Sequence, residues 1–340
     1  MTPRSRSLSV AVIQGGPSTE AEVSRASALG VGKALAEAGH SVVRLELDSF
    51  LAESLRTGGY DVVFPVVHGA VGEDGSLQGL LEVLDLPYVG SGVLASALAM
   101  HKRVARVLFE RAGLPVARGL DMARGDAGGA SAAAERVRRE VGARLVVKPS
   151  SHGSAIGVAR LEADATLEEV ARALEAVWAL DDFAIVEHFA RGREVTCGVL
   201  EVDAPVAFAP TEIFSPHDPF YTYEARYAPG RSHHVCPAAL PPAVATRVQE
   251  VAVAAHSVLG CRDLSRVDFI VGDDDDPDAV TLLEVNTLPG MTATSLYPEA
   301  AAARGVSMAA LCGGFVVRAH ARGPARRLPA RPMPGTSKGN

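Results

Sequence analysis

The stretch from Ser265 to Leu296, SRVDFIVGDDDDPDAVTLLEVNTLPGMTATSL, constrains this chain more than any other. Two β-type runs, Arg266 to Val271 and Val280 to Asn286, flank a turn-forming segment from Gly272 to Asp278, so the stretch reads as a β-hairpin. Side chains two apart on a strand share a face, which pairs Arg266 with Asp268 and Glu284 with Asn286. If the strands pair, two carboxylates, one amide oxygen and one guanidinium converge on a single patch. Burying such groups without partners is expensive, so they are not there for stability. Hard oxygen donors beside a cation suit Mg²⁺ holding a polyphosphate. The aspartate run Asp273 to Asp276 sits at the hairpin tip, where a solvated turn explains it.

At 340 residues the chain is too long for one ordinary core, and two or three domains are expected. A net charge of −7 argues against a generic nucleic-acid binder. No apolar run reaches the roughly 18 residues needed to span a bilayer, and the start, MTPRSRSLSVAVIQGG, lacks the long apolar core of a signal peptide. Cys197, Cys236, Cys261 and Cys312 are scattered without a C-x-x-C pair, which suits reduced thiols in a cytoplasm.

Leu8 to Ile13, the turn Gln14-Gly15-Gly16-Pro17-Ser18, an alanine-rich helical pattern to about Gly39 and a strand over Ser41 to Leu47 form a βαβ opening. Glu20, at the helix start, either complements the helix dipole or contacts a ligand. Tyr60 to Val67 is a further buried strand ending at His68-Gly69, and a polar glycine loop follows it. Loops at the carboxyl ends of parallel strands are where open α/β sheets bind ligands. Pro87 to Gly90 reads as a short strand, and Ser91 to Lys102 as a helix. Residues 124–133 read as a surface loop.

Lys148 closes the apolar strand Leu145 to Pro149, and Ser150 to Val158 is a small-residue loop. A lysine followed by backbone N–H groups suits phosphate, although an ordinary hairpin turn gives the same pattern. Leu167 to Trp178 is an amphipathic helix with the lone tryptophan in the core. Strands follow at Phe183 to Glu187 and Arg193 to Val199, then an aromatic loop over Phe214 to Arg231 that reads as a cover. Pro242 to Leu259 and Pro298 to Val317 are helical, and a proline-rich tail without acidic residues ends the chain.

Taken in order, GGPSTEAEVS, HGAVGEDGSLQGLLEVLDLPYVGSGVLASALAM, VVKPSSHGSAIGV, VEHFARGREVT, FYTYEARY, and SRVDF with LLEVNTLPGMTATSL resemble the D-alanine–D-alanine ligase family of the ATP-grasp superfamily. The resemblance spans about residues 8–315. It implies an N-terminal Rossmann-like α/β domain (1–98) and two α+β ATP-grasp subdomains (99–187 and 188–320) that clasp ATP. An ω-like loop over 214–231 and a disordered tail over 321–340 complete the division. It also implies ATP-dependent joining of two D-alanines through a D-alanyl phosphate, for peptidoglycan precursors, by a homodimer.

Roles follow from the same resemblance. Lys102, Lys148 and Arg226 would contact ATP phosphates, with amides of the loop Gly153, Ala155 and Gly157 over them. Glu187, His188 and Ala190 would flank adenine, and Glu194 the ribose. Asp268, Glu284 and Asn286 would hold two Mg²⁺ (or Mn²⁺). Arg266 and the Gly290 amide would receive the oxyanion. Glu20 and His68 would bind the first D-alanine, and Ser295 and Leu296 the carboxylate of the second. Glu20, Ser154 and Tyr227 would form a hydrogen-bonded trio across the site, and a tyrosine at 227 goes with a D-alanine acceptor.

The chain departs from the usual pattern at Arg226 (commonly lysine), at His152 and Ala155 within the glycine loop, at His101 and Thr222 (frequently aspartate) and at His188 (frequently lysine). These departures leave room for a ligase for another amino-acid pair; an idle nucleotide-binding scaffold is the outside alternative, against which the intact Asp268, Glu284, Asn286, Arg266, Lys102 and Lys148 weigh.

Overall fold

The computed structural model describes residues 6–125, 128–216, 230–272 and 276–324. The chain opens with β1 (Ser9–Gln14), α1 (Ala21–Glu37), β2 (Ser41–Glu46), α2 (Leu51–Thr57) and β3 (Val62–Pro65). These three strands form a parallel sheet in the order β2-β1-β3. The inner residues of β1 and all of β3 are buried, which is why both read as continuous apolar runs rather than alternating ones. Ala28, Val31 and Leu35 of α1 are fully buried, and the seven-residue interval from Ala28 to Leu35 is two helical turns along one face.

Next come α3 (Ser76–Val83), α4 (Val93–Met100) and α5 (Lys102–Arg111). The expected helix over Ser91 to Lys102 is therefore broken: His101 takes a non-helical ψ of 83° and ends α4. The break lets Lys102 N–H donate to the Ser150 carbonyl at 2.8 Å, tying the start of α5 to the glycine loop. The expected strand at Pro87 to Gly90 is also corrected. It makes only an isolated bridge, Val63 to Tyr88.

β4 (Gly119–Ala123), α6 (Ala130–Glu140), β5 (Leu145–Pro149), β6 (Ala159–Leu161), α7 (Leu167–Trp178) and β7 (Phe183–His188) build an antiparallel sheet ordered β4-β7-β5-β6. The loop reading of 124–133 fails from Ala130 onward, because Ala133, Ala134 and Val137 of α6 are buried in the core of this unit. Alanine-rich composition looked like linker, but it is a strong helix former once a face is covered. Thr166 and Glu169 form a complete capping box at the start of α7. Trp178 lies in the same core and donates its indole N–H to the Met122 carbonyl at 3.0 Å.

The third sheet holds β8 (Arg193–Glu201), β9 (Pro205–Ala207), β10 (Thr211–Phe214), β11 (His233–Val235), β12 (Leu264–Val271) and β13 (Val280–Asn286), with α8 (Pro242–Leu259) against it. α9 (Leu296–Ala303) and α10 (Met308–Arg322) close the described chain. The single helix expected over Pro298 to Val317 is thus two, separated at Gly305, whose φ is +80°. Segment 321–340 is not tail from its start. Arg322 belongs to α10 and donates both Nη groups to Asp263 at 2.8 Å, and one to the Tyr88 carbonyl at 3.0 Å. Residues 325–340 lie outside the described ones, as do Thr222, Arg226, Tyr227 and most of the expected cover.

Val10, Val12 and Phe64 of the first sheet share one core with Phe208, Leu264, Tyr297 and Phe315, so the first and last units are packed as one block. No single described helix is long and apolar enough to cross a membrane.

Buried histidines give this fold a pH signature. Burial pushes His40 below the usual histidine range, and Leu8 N–H donates to its Nδ1 at 3.3 Å, which requires the unprotonated nitrogen. Burial also lowers His256, against the opposing pull of Glu201 and Asp263. A base depressed in the folded state keeps its full stability contribution above the unfolded pKa of about 6.5 and loses it as pH falls below that. Unfolding free energy should therefore decline from pH 6.5 to 5, by up to about 1.4 kcal/mol per pH unit for each group, and the melting temperature should fall with it. His40→Asn should flatten that decline. A wild-type melting temperature constant down to pH 5 would contradict this account.

Candidate active site

The hairpin pairs Arg266 with Asn286 and Asp268 with Glu284, so the four polar side chains share one face, as their spacing predicts. Past Asp268 the register shifts by a bulge, and Phe269 pairs with Leu282. One extra residue on β13 lets two neighbours, Leu283 and Glu284, both border open space, which strict alternation forbids. Arg266 grips Asp268 with two parallel bonds, Nε to Oδ1 at 2.9 Å and Nη2 to Oδ2 at 2.7 Å, and Thr196 Oγ1 donates to Oδ1 at 2.6 Å. Lys102 Nζ lies 3.1 Å from Glu284 Oε2 and donates to the His152 carbonyl at 2.7 Å.

Two cavities meet at this pair, since Lys102 and Glu284 line both. The larger, of about 500 Å³, is walled by Glu20, His68, Arg266, Asn286, Gly290 and Ser295, with Gly153, Ser154 and Leu296 at its margin. The smaller, of about 240 Å³, is bordered by Lys148, Glu187, His188, Ala190 and Glu194, together with Ala155, Ile270 and Leu283. The expected residues thus divide into two adjoining groups. Gly157 borders neither cavity. Its φ of +72° is a left-handed conformation that glycine takes without steric cost, so this glycine shapes the turn. Asp268 borders neither and sits behind Arg266. Glu187, expected beside adenine, has its carboxylate 2.7 Å from Lys148 Nζ, and both are largely buried. A Cβ at Gly290 would come 2.8 Å from Ser295 Oγ, so a side chain there would displace that hydroxyl.

Ser154 Oγ donates to Glu20 Oε1 at 2.7 Å, bringing the first α/β unit against the glycine loop. Ser154 and Ala155 hold φ of 50° and 58°, a left-handed conformation that costs non-glycine residues energy and marks a shaped loop. β5 and β6 do pair as a hairpin about this loop, so the turn reading and the phosphate-loop reading describe the same segment.

Glu73 was not singled out from the sequence. It lines the larger cavity and accepts from Gly69 N–H at 2.5 Å; burial, reinforced by the negative Glu20, pushes its carboxyl up to about 8. An acidic residue in a glycine loop after a parallel strand is the signal that could have found it. Burial also keeps His68 below the usual histidine range, with Glu20 opposing and Arg266 assisting.

Among the described residues no group of three or more His, Cys, Asp or Glu is arranged to hold a metal. The hairpin offers two carboxylates and an amide. Glu284 faces both cavities and Asn286 lines the larger one, so hard-oxygen ligation of Mg²⁺ fits the donor set, with phosphate and water completing a shell.

Two antiparallel sheets, one carrying a small-residue loop with a lysine and the other an acidic floor, define an ATP-grasp ligase. The model "D-ala D-ala ligase C-terminus" matches residues 108–316, and "D-ala D-ala ligase N-terminus" matches residues 48–91. A D-alanine–D-alanine ligase of Pelotomaculum thermopropionicum is 42% identical over 301 residues, 88% of this chain and 92% of that one. Among solved structures, a Bacillus anthracis D-alanine–D-alanine ligase complexed with ATP is 26% identical, with a TM-score of 0.76 over 93% of this chain and 99% of that one. The VanG D-Ala:D-Ser ligase of Enterococcus faecalis is 28% identical, with a TM-score of 0.78 over 93% of this chain and 100% of that one. The chain belongs to the D-alanine–D-alanine ligase family.

Proposed function

We propose that this protein is an ATP-dependent ligase that joins two D-alanines into D-alanyl-D-alanine, releasing ADP and phosphate, for peptidoglycan precursors. The observation that carries the reading is the Ser154–Glu20 hydrogen bond, which seals the glycine loop over a cavity floored by Arg266, Glu284 and Asn286. The smaller cavity takes adenosine between Glu187, Ala190 and Leu283, with Glu194 toward the ribose. Lys148 and Lys102 carry the triphosphate toward the shared boundary, where Glu284 stands. Asp268, Glu284 and Asn286 would hold two Mg²⁺ (or Mn²⁺), which would supply neutralisation of the phosphate charge.

In the larger cavity Glu20 receives the ammonium of the first D-alanine, with His68 near its carboxylate. That carboxylate attacks the γ-phosphorus, the bond to ADP breaks, and an acyl phosphate forms. The second D-alanine, its carboxylate at Ser295 and the Leu296 amide, attacks the acyl carbon with its deprotonated amine. Arg266 and the Gly290 N–H hold the oxyanion until phosphate leaves. Preorganised donors of this kind are worth roughly 2.7–4 kcal/mol each. Tyr227, outside the described residues, would close the trio and exclude water from the acyl phosphate. We also infer a cytoplasmic enzyme that acts as a homodimer, built from the three domains named above.

Phosphate release with ATP, Mg²⁺ and a panel of D- and L-amino acids, with products identified by mass spectrometry, tests the reading. Release that needs D-alanine and yields the dipeptide supports it; release only with another pair, or none, overturns it. The resemblance to a D-Ala:D-Ser ligase makes the acceptor the open choice. Tyr227→Phe should raise D-lactate use relative to D-alanine by about tenfold, the worth of one hydrogen bond near 1.4 kcal/mol. An unchanged ratio in competition assays would remove Tyr227 from acceptor choice.

A further inference from the structure

The glycine loop rests on a turn that no role assigned above uses. Between α7 and β7, Leu180 to Phe183 underlies both ends of the loop. At the leading end, Asp181 Oδ2 accepts from Ser151 N–H at 2.8 Å and from Ser151 Oγ at 2.6 Å, while Oδ1 accepts from Phe183 N–H at 3.0 Å. Ser150 N–H donates to the Phe183 carbonyl at 3.3 Å. The guanidinium of Arg103, the residue after Lys102, stacks over the Phe183 ring at 4.3 Å. At the trailing end, Gly157, at φ +72°, packs on the Leu180 side chain, where a Cβ would come within 2.7 Å of Cδ1. Burial works against ionisation of Asp181, but the Ser151 hydroxyl and the Phe183 and Ser151 N–H groups outweigh it and lower its pKa.

We propose that Asp181 is a positioning residue for the nucleotide: it sets the height and tilt of the glycine loop. The consequences run directly from Ser151. The next residue, His152, presents the carbonyl that takes Lys102 Nζ, and Ser154 reaches Glu20. Asp181 thus fixes the leading end of the loop, where the phosphate lysine is oriented, while the Ser154 bond to Glu20 is held separately by the first α/β unit. Only a carboxylate serves, because its two oxygens face two backbone N–H donors on opposite sides. An amide satisfies one and turns its own NH₂ against the other.

This rests on the reading that the loop covers ATP, so the experiment separates the two. ATP affinity is measured by titration calorimetry and KM by steady-state kinetics for wild type, Ser151→Ala, Asp181→Asn and Asp181→Ala. KM for ATP should rise in that order, reaching about tenfold or more in Asp181→Ala, while KM for the first D-alanine stays within about twofold. Asp181→Asn should recover part of the loss. Asp181→Ala with wild-type KM for ATP, or variants whose two KM values rise together, would overturn the positioning role. Should Asp181→Ala fail to fold, the order of the two conservative variants decides in the same way. A wild type that binds no ATP overturns the nucleotide reading and this one with it, whereas ATP binding indifferent to residue 181 overturns this one alone.

Discussion

Glu284→Gln should lose on the order of 10³-fold in kcat while melting close to the wild type, reflecting one anionic donor removed from a transition state that concentrates charge. The two halves of the expectation have different causes. Glu284 is partly exposed and its ion pair with Lys102 spans 3.1 Å, so glutamine keeps the shape and forfeits about 1 kcal/mol or less of stability. Lys102 retains the His152 carbonyl as a partner. Chemically the position is singular, because among the described residues Glu284 is the one carboxylate lining both cavities. Phosphate release alongside a thermal melt checks both halves. More than a tenth of wild-type turnover would remove Glu284 from the assigned metal ligands.

Arg266→Lys is the second large effect. Arginine meets Asp268 through a planar fork, and lysine is a point charge that reproduces one of those two bonds. It also misplaces the positive charge facing the reacting carbonyl, so kcat should fall about 10²–10³-fold with KM for ATP little changed. Stability should drop by about 1–3 kcal/mol for the lost buried bond. Arg266→Met should cost more, about 3–5 kcal/mol, since it takes the guanidinium away from the Asp268 carboxylate and leaves that charge to neutral donors such as Thr196. Adding Asp268→Asn to Arg266→Met should return much of the stability and none of the activity. Activity that returned with stability would make the pair structural.

Much of this site was legible because its central pattern is local. Period-two spacing in β12 and β13 places Arg266, Asp268, Glu284 and Asn286 on one face whatever surrounds them. The apolar runs of β1, β3 and β5 and the amphipathic stretch of α7 likewise report their own burial. The misreadings share one cause. Ala130 to Ala134 looked like linker because alanine and glycine carry little hydrophobic signal without a neighbouring face to show what they cover. His101 and Gly305 interrupt runs whose composition is continuous, and the break at His101 answers the distant Ser150 carbonyl, which accepts from Lys102 N–H.

By itself, then, the sequence determined the polar face of the hairpin, the lysine-bearing glycine loop and the order of the motifs that mark the family. Only the tertiary structure decided that a bulge turns Leu283 and Glu284 the same way and that Glu73 enters the cavity. It alone placed Arg322 on Asp263 and the glycine loop on Asp181. These contacts join residues 59 and 30 positions apart, and Ser154 meets Glu20 across 134. Local periodicity records which face of an element is buried. It holds no information about which distant group will complete a hydrogen bond there, because that partner is chosen by the packing of whole sheets.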